Sequence, residues 1–80
     1  MKTTFNKVLG KNIKSRRTGL GMTQMQLAVS TSIDMSFISR LERGVVNSSV
    51  ESLIKISDAL GCNVIDIIPK TNYPKKELKK

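Results

Sequence analysis

An 80-residue chain with a formal charge of +8 and 39% hydrophobic residues has material for one small core and not for a second. It holds no histidine and one cysteine, which excludes Ser-His-Asp and Cys-His catalysis, zinc sites of the Cys/His type and an internal disulfide. No apolar run approaches the roughly eighteen residues of a membrane span, and so basic a domain puts nucleic acid first among partners and acidic membrane second.

Apolar residues recur at helical spacing, and breakers divide them into five short segments. In the first, Phe5, Val8, Leu9 and Ile13 share one face while Lys7, Lys11 and Lys14 share another. It stops around Gly19 and Gly21, which suit a left-handed C-cap. Thr23 opens the second, and Gln26 three residues on completes a capping box, each side chain satisfying an otherwise orphan backbone donor. Leu27 and Ala28 face inward, and Ser30-Thr31-Ser32 break this very short helix.

Asp34 suits the N-cap of a third helix, whose buried stripe is Ile33, Phe37, Ile38 and Leu41 and which ends at Gly44. After a polar loop through Asn47, Ser48 or Ser49 caps a fourth helix carrying Val50, Leu53, Ile54, Ser57 and Leu60 on one face, closed by Gly61. The last apolar run, Val64-Ile65-Asp66-Ile67-Ile68, ends at Pro69. Its β-branched content suits a strand, but a lone strand has nothing to pair with, so a short fifth helix is expected. The fold class is therefore all-α, with five helices, one domain over residues 1–69 and a basic tail over 70–80. No signal peptide is expected before the first helix, and the expected location is cytoplasmic and nucleoid-associated.

The charge is unevenly placed. Residues 1–19 carry six basic groups and no acid, residues 20–69 sum to −2, and residues 70–80 sum to +4. Such a tail is most simply solvated, adding nonspecific attraction to phosphate where it is used.

Two short helices joined by a tight turn make a helix-turn-helix candidate. The stretch Leu9-Gly10-Lys11-Asn12-Ile13-Lys14-Ser15-Arg16-Arg17 is followed by Gly21-Met22-Thr23-Gln24-Met25-Gln26-Leu27-Ala28. Phe37-Ile38-Ser39-Arg40-Leu41-Glu42-Arg43-Gly44 and Asn47-Ser48-Ser49-Val50-Glu51-Ser52-Leu53 come next. These blocks, over about residues 7–68, resemble the Cro/repressor-type helix-turn-helix family of phage and bacterial transcription regulators, with a lambda-repressor-like domain.

The resemblance implies that the third helix lies in the major groove of double-stranded DNA. Its outward residues Met35, Ser36, Ser39 and Arg40 then read bases, Arg40 by bidentate donation to guanine and Met35 by contact with a thymine methyl. Gln24 matches a glutamine that contacts phosphate at the start of the second helix, where free amides and the helix dipole favour an anion. Thr23, Asp34, Arg43, Asn47, Ser48 and Ser49 fall at helix ends and a loop expected to grip phosphate, and Lys14 is the stripe lysine assigned to the DNA. Arg17 and Glu42 correspond to an arginine–carboxylate pair joining the first and third helices, a structural role. Two positions depart from the family: Ser32 replaces the usual glycine of the turn, where a left-handed backbone costs it about 1 kcal/mol, and Ser48 replaces the usual proline.

One such domain reads too few base pairs to select a genomic site. A homodimer through Val64, Ile65, Ile67 and Ile68, on a pseudo-palindromic operator, is therefore expected. The implied function is transcription regulation without catalysis, cofactor, metal or membrane, as a phage or mobile-element regulator, or an autoregulator such as a restriction–modification controller. No attached effector domain is expected within eighty residues. The second helix has no acid (Gln24, Met25, Gln26), which argues against activation through a negative patch touching RNA polymerase, although Asp34 keeps that partner open. The rival class is a protein-interaction or antitoxin-type module, which requires a contiguous apolar patch. RNA is disfavoured because Phe5, Phe37 and Tyr73 are the only aromatics available for stacking.

Overall fold

The computed structural model describes residues 4–70, so the basic tail expected at 70–80 lies, after Lys70, outside the described residues. Among the described residues there are four α-helices: α1 (Thr4–Gly19), α2 (Gln24–Thr31), α3 (Met35–Glu42) and α4 (Val50–Ala59). Among the described residues there is no strand.

Local chemistry sets the boundaries. The α1 helix ends in a Schellman-type closure, with Gly21 N–H donating to Thr18 O and Met22 N–H to Arg17 O. Gly21 itself sits at φ +71°. The α2 helix opens on a complete capping box: Thr23 Oγ1 accepts from Gln26 N–H at 3.0 Å, and Gln26 Oε1 accepts from Thr23 N–H at 2.8 Å. It closes at Ser32, which takes the left-handed conformation at φ 60°. Asp34 caps α3 and Ser49 caps α4, each accepting from the backbone two or three residues on.

Packing then follows from the apolar faces. α1 packs on α3, α2 packs on both α3 and α4, and the chain end packs on α4. Leu9 and Ile13 of α1 meet Leu27, Ile38, Leu41 and Ile56 in the centre, all at most 2% exposed. Phe5 and Val8, placed on the same face by spacing, remain 37% exposed at its margin. Phe37 is half-buried and covers the core edge.

Glycine controls how closely α1 approaches α3. A Cβ at Gly10 would overlap the carbonyl oxygen of Leu41 and lie 2.6 Å from that of Glu42. The helices therefore cross with backbone against backbone, a contact no other residue permits.

The expected fifth helix is a correction. Val64–Asp66 forms a single 3₁₀ turn of three residues. A run this short cannot repay helix nucleation, its β-branched residues are poor helix formers, and Pro69 biases Ile68 away from helical geometry. Side chains hold the turn instead: Asp66 Oδ2 accepts from Asn63 N–H at 2.9 Å, and Asn12 Nδ2 donates to Ile67 O at 3.0 Å. Ile67, expected at a dimer interface, is 0% exposed and belongs to the monomer core. Val64 and Ile68 are half-buried against that core, whereas Ile65 stands 73% exposed.

Candidate nucleic-acid interface

The outward face of α3 is polar. Met35, Ser36 and Arg40 are exposed and Ser39 is half-buried, so all four assigned base-reading residues reach the surface of one helix. Spacing of four residues stacks Ser36 under Arg40 and Met35 under Ser39. Below them Ile38 and Leu41 anchor the helix in the core at no more than 1% exposure.

Asp34 opens this face. Its Oδ2 accepts from Ser36 N–H at 3.1 Å and from the Ser36 hydroxyl. The hydroxyl bond outweighs the opposing desolvation and, with lesser help from backbone amides and the charge of Arg40, holds the carboxyl below its ordinary value. An ionised carboxylate only accepts hydrogen bonds and repels phosphate. Asp34, assigned to phosphate by the resemblance, caps α3 and faces outward, where its charge favours hydrogen-bond donors over phosphate.

At the other end of α3, Glu42 receives three hydrogen bonds. Arg17 Nε donates to Oε2 at 2.6 Å, Arg17 Nη2 to Oε1 at 2.9 Å, and Gln24 Nε2 to Oε1 at 3.0 Å. Arg17 Nη1 also reaches Met22 O at 2.7 Å. The ion-paired side chains are 9% and 2% exposed, and hydrogen bonding to Glu42 drives the arginine pKa upward. The buried Arg17–Glu42 pair thus joins α1, the α1–α2 connection and the start of α2 to the end of α3. Gln24, half-buried, keeps its second amide hydrogen and its oxygen outside these bonds.

The α3–α4 loop is tied to α1. Asn6 Nδ2 donates to Asn47 Oδ1 at 2.8 Å. Gly44, at φ +76°, lies so close to α1 that a Cβ there would sit 2.7 Å from Lys7 Cα. Ser48 Oγ donates to Ser49 O, while Ser49 Oγ accepts from Ser52 N–H as the α4 cap. Thr23 is likewise exposed and serves its own cap. Arg43 is exposed at the C-cap of α3, and Lys14 is exposed on α1. No described hydrogen bond ties either side chain to the other assigned residues. The structure thus gathers Gln24 with Arg17 and Glu42, Asp34 with Ser36, and Asn47 with Asn6.

A family model described as Helix-turn-helix matches residues 13–67. The chain belongs to the helix-turn-helix family. Among the helix-turn-helix proteins it resembles, Control protein C.BamHI of Bacillus amyloliquefaciens is 31% identical over 81 residues, covering all of both chains. The restriction–modification controller protein C.AhdI of Aeromonas hydrophila superposes with a TM-score of 0.76 at 27% identity, over 78% of this chain and 94% of that one. SinR, described as the master regulator for biofilm formation and solved in complex with DNA, superposes at 0.71 with 30% identity, over 74% and 95%.

Three supports of this helix-turn-helix unit escape sequence reasoning. Asn6 and Asn12 act on residues 41 and 55 positions away, and an asparagine on a helix gives no signal of such a reach. Gly10 did carry one, because an isolated glycine inside a helical pattern usually marks a close packing contact.

Proposed function

We propose that the chain is a sequence-specific regulator of transcription that binds a pseudo-palindromic operator in double-stranded DNA as a homodimer. The observation that carries this reading is the polar outward face of α3, anchored from below by Ile38 and Leu41 and flanked by the Gln24 end of α2. Met35, Ser36, Ser39 and Arg40 read base edges. Gln24, Thr23, Arg43, Asn47, Ser48, Ser49 and Lys14 hold the phosphates on either side. Similarity to C.BamHI over both whole chains supports a regulator of a small operon, with control of restriction–modification genes as the leading case.

For pairing, Ile65 is the exposed member of the chain-end apolar run, and α4 adds Val50 at 67% and Ile54 at 45% exposure. An Ile65→Asp variant is expected to sediment as a folded monomer with weakened operator binding. Ile67→Asp, which puts a charge in the core, is expected to unfold. An Ile65→Asp protein that remains a dimer refutes this surface.

Selection of duplexes from a random pool, followed by salt titration, tests the whole reading. It predicts a two-fold symmetric motif and a steep loss of affinity with salt. Equal binding to every sequence refutes it and leaves the second reading, a module for a protein partner. That reading has one observation in its favour: Leu20, Met25 and Val29, 55–72% exposed, line one open cleft on the outer side of α2.

A further inference from the structure

Asp34 and Ser36 form one hydrogen-bonding unit at the N-terminal end of α3. The Ser36 hydroxyl has a single hydrogen, and it is committed to Asp34 Oδ2. What Ser36 turns outward is therefore lone pairs. The ionised carboxylate beside it likewise offers acceptors only. Both residues are exposed, and so is Arg40. Ser36 and Arg40 share a helix face with a rise of about 6 Å between them, which corresponds to roughly two base-pair steps of 3.4 Å. The reading face is thus polarised along its length, with acceptors where α3 begins and a forked donor one turn later.

We infer, building on the DNA-reading role proposed above for α3, that the Asp34–Ser36 pair is a specificity determinant. It selects an exocyclic amino group in the major groove, while Arg40 reads a guanine about two base pairs away. Cytosine N4 and adenine N6 are the hydrogen-bond donors that bases present in that groove. Guanine presents N7 and O6 there, and thymine presents O4 with its methyl. Set against either, the pair would oppose lone pairs to lone pairs in a site stripped of water, leaving acceptors unsatisfied on both sides. Turning the Ser36 hydrogen outward would relieve the mismatch only by giving up the hydroxyl bond that the Asp34 carboxylate accepts.

Duplex selection with the wild type and with Asp34→Ser tests the pair. Serine is also a good N-cap, so the helix is retained, as thermal unfolding followed by circular dichroism will verify. Its hydroxyl, however, can donate. The wild type is expected to select guanine and one fixed base pair about two steps away; whether that pair is A·T or C·G identifies the amine as adenine N6 or cytosine N4. Deleting that pair's exocyclic amine, with purine in place of adenine or a pyrimidinone lacking N4 in place of cytosine, should weaken wild-type binding by roughly ten- to a hundredfold. In Asp34→Ser this discrimination should fall by about tenfold. A wild-type protein indifferent to loss of that amine, or a folded Asp34→Ser protein with unchanged discrimination, overturns the inference while sequence-specific regulation stands. A pool that yields no motif at all overturns both.

Discussion

Replacing Glu42 by leucine tests the buried network most directly. The change removes the acceptor of two Arg17 hydrogen bonds and one from Gln24, and leaves a guanidinium that is 9% exposed with Met22 O as its remaining recorded partner. An uncompensated charge at such burial costs about 3–5 kcal/mol. A domain of this size has about 5 kcal/mol in total, so the single variant is expected at the edge of folding. With an m-value near 1 kcal/mol per molar urea, typical of a small chain, the midpoint should fall by about 3 M or more. The double variant Arg17→Met/Glu42→Leu removes both charges and fills similar volume, and it should recover most of that loss. Urea unfolding of the four proteins of this cycle, followed by far-ultraviolet circular dichroism, gives the coupling. A Glu42→Leu loss below about 1 kcal/mol, or a double variant no better than the single, refutes the claim that an isolated buried charge is the cost.

Further outcomes follow from the backbone and the caps. Gly10→Ala improves intrinsic helix propensity yet forces a Cβ into Leu41 and Glu42 carbonyls, so it should lower stability by about 2 kcal/mol or more in the same urea assay. Ser32→Gly relieves a left-handed serine but loosens the unfolded chain; the net gain should be about 0.5 kcal/mol, raising Tm by roughly 2–4 °C in a calorimeter. Asp34 has its folded pKa below the ordinary value, so in that window the native protein binds fewer protons than the unfolded one. Its contribution is complete above the ordinary carboxylate value and is lost as pH falls through the lowered one. Melts of wild type and Asp34→Asn in acid should therefore converge, the variant lacking that part of the decline.

What was legible in the sequence is what short-range chemistry encodes. Thr23 with Gln26, Asp34, Gly21, Gly44 and Gly61 each act within a few residues, and their positions alone mark helix ends. The left-handed turn at Ser32 was legible only through the family resemblance, because a serine by itself does not signal positive φ. The fate of the run Val64 to Ile68 was not readable. An apolar stretch looks alike whether its residues enter a core or meet a partner, and Ile65 and Ile67, two positions apart, lie at 73% and 0% exposure. On the candidate site, residue type and spacing indicated which side chains face outward, but not that Ser36 gives its hydrogen to Asp34. That bond sets the polarity of the proposed reading face, and it depends on side-chain rotamers.

The bond from Gln24 to Glu42 also bears on the entropy of association. A half-buried side chain already held by a buried carboxylate has few rotamers left to surrender. Immobilising a free one at an interface typically costs about 0.5–1.5 kcal/mol. In the proposed complex Gln24 meets its phosphate with that loss already incurred during folding, whereas exposed Arg40 incurs it only when it finds a base. Backbone grip is thereby available on any duplex from first encounter, and the ordering cost of Arg40 is recovered only at the sequence that suits it.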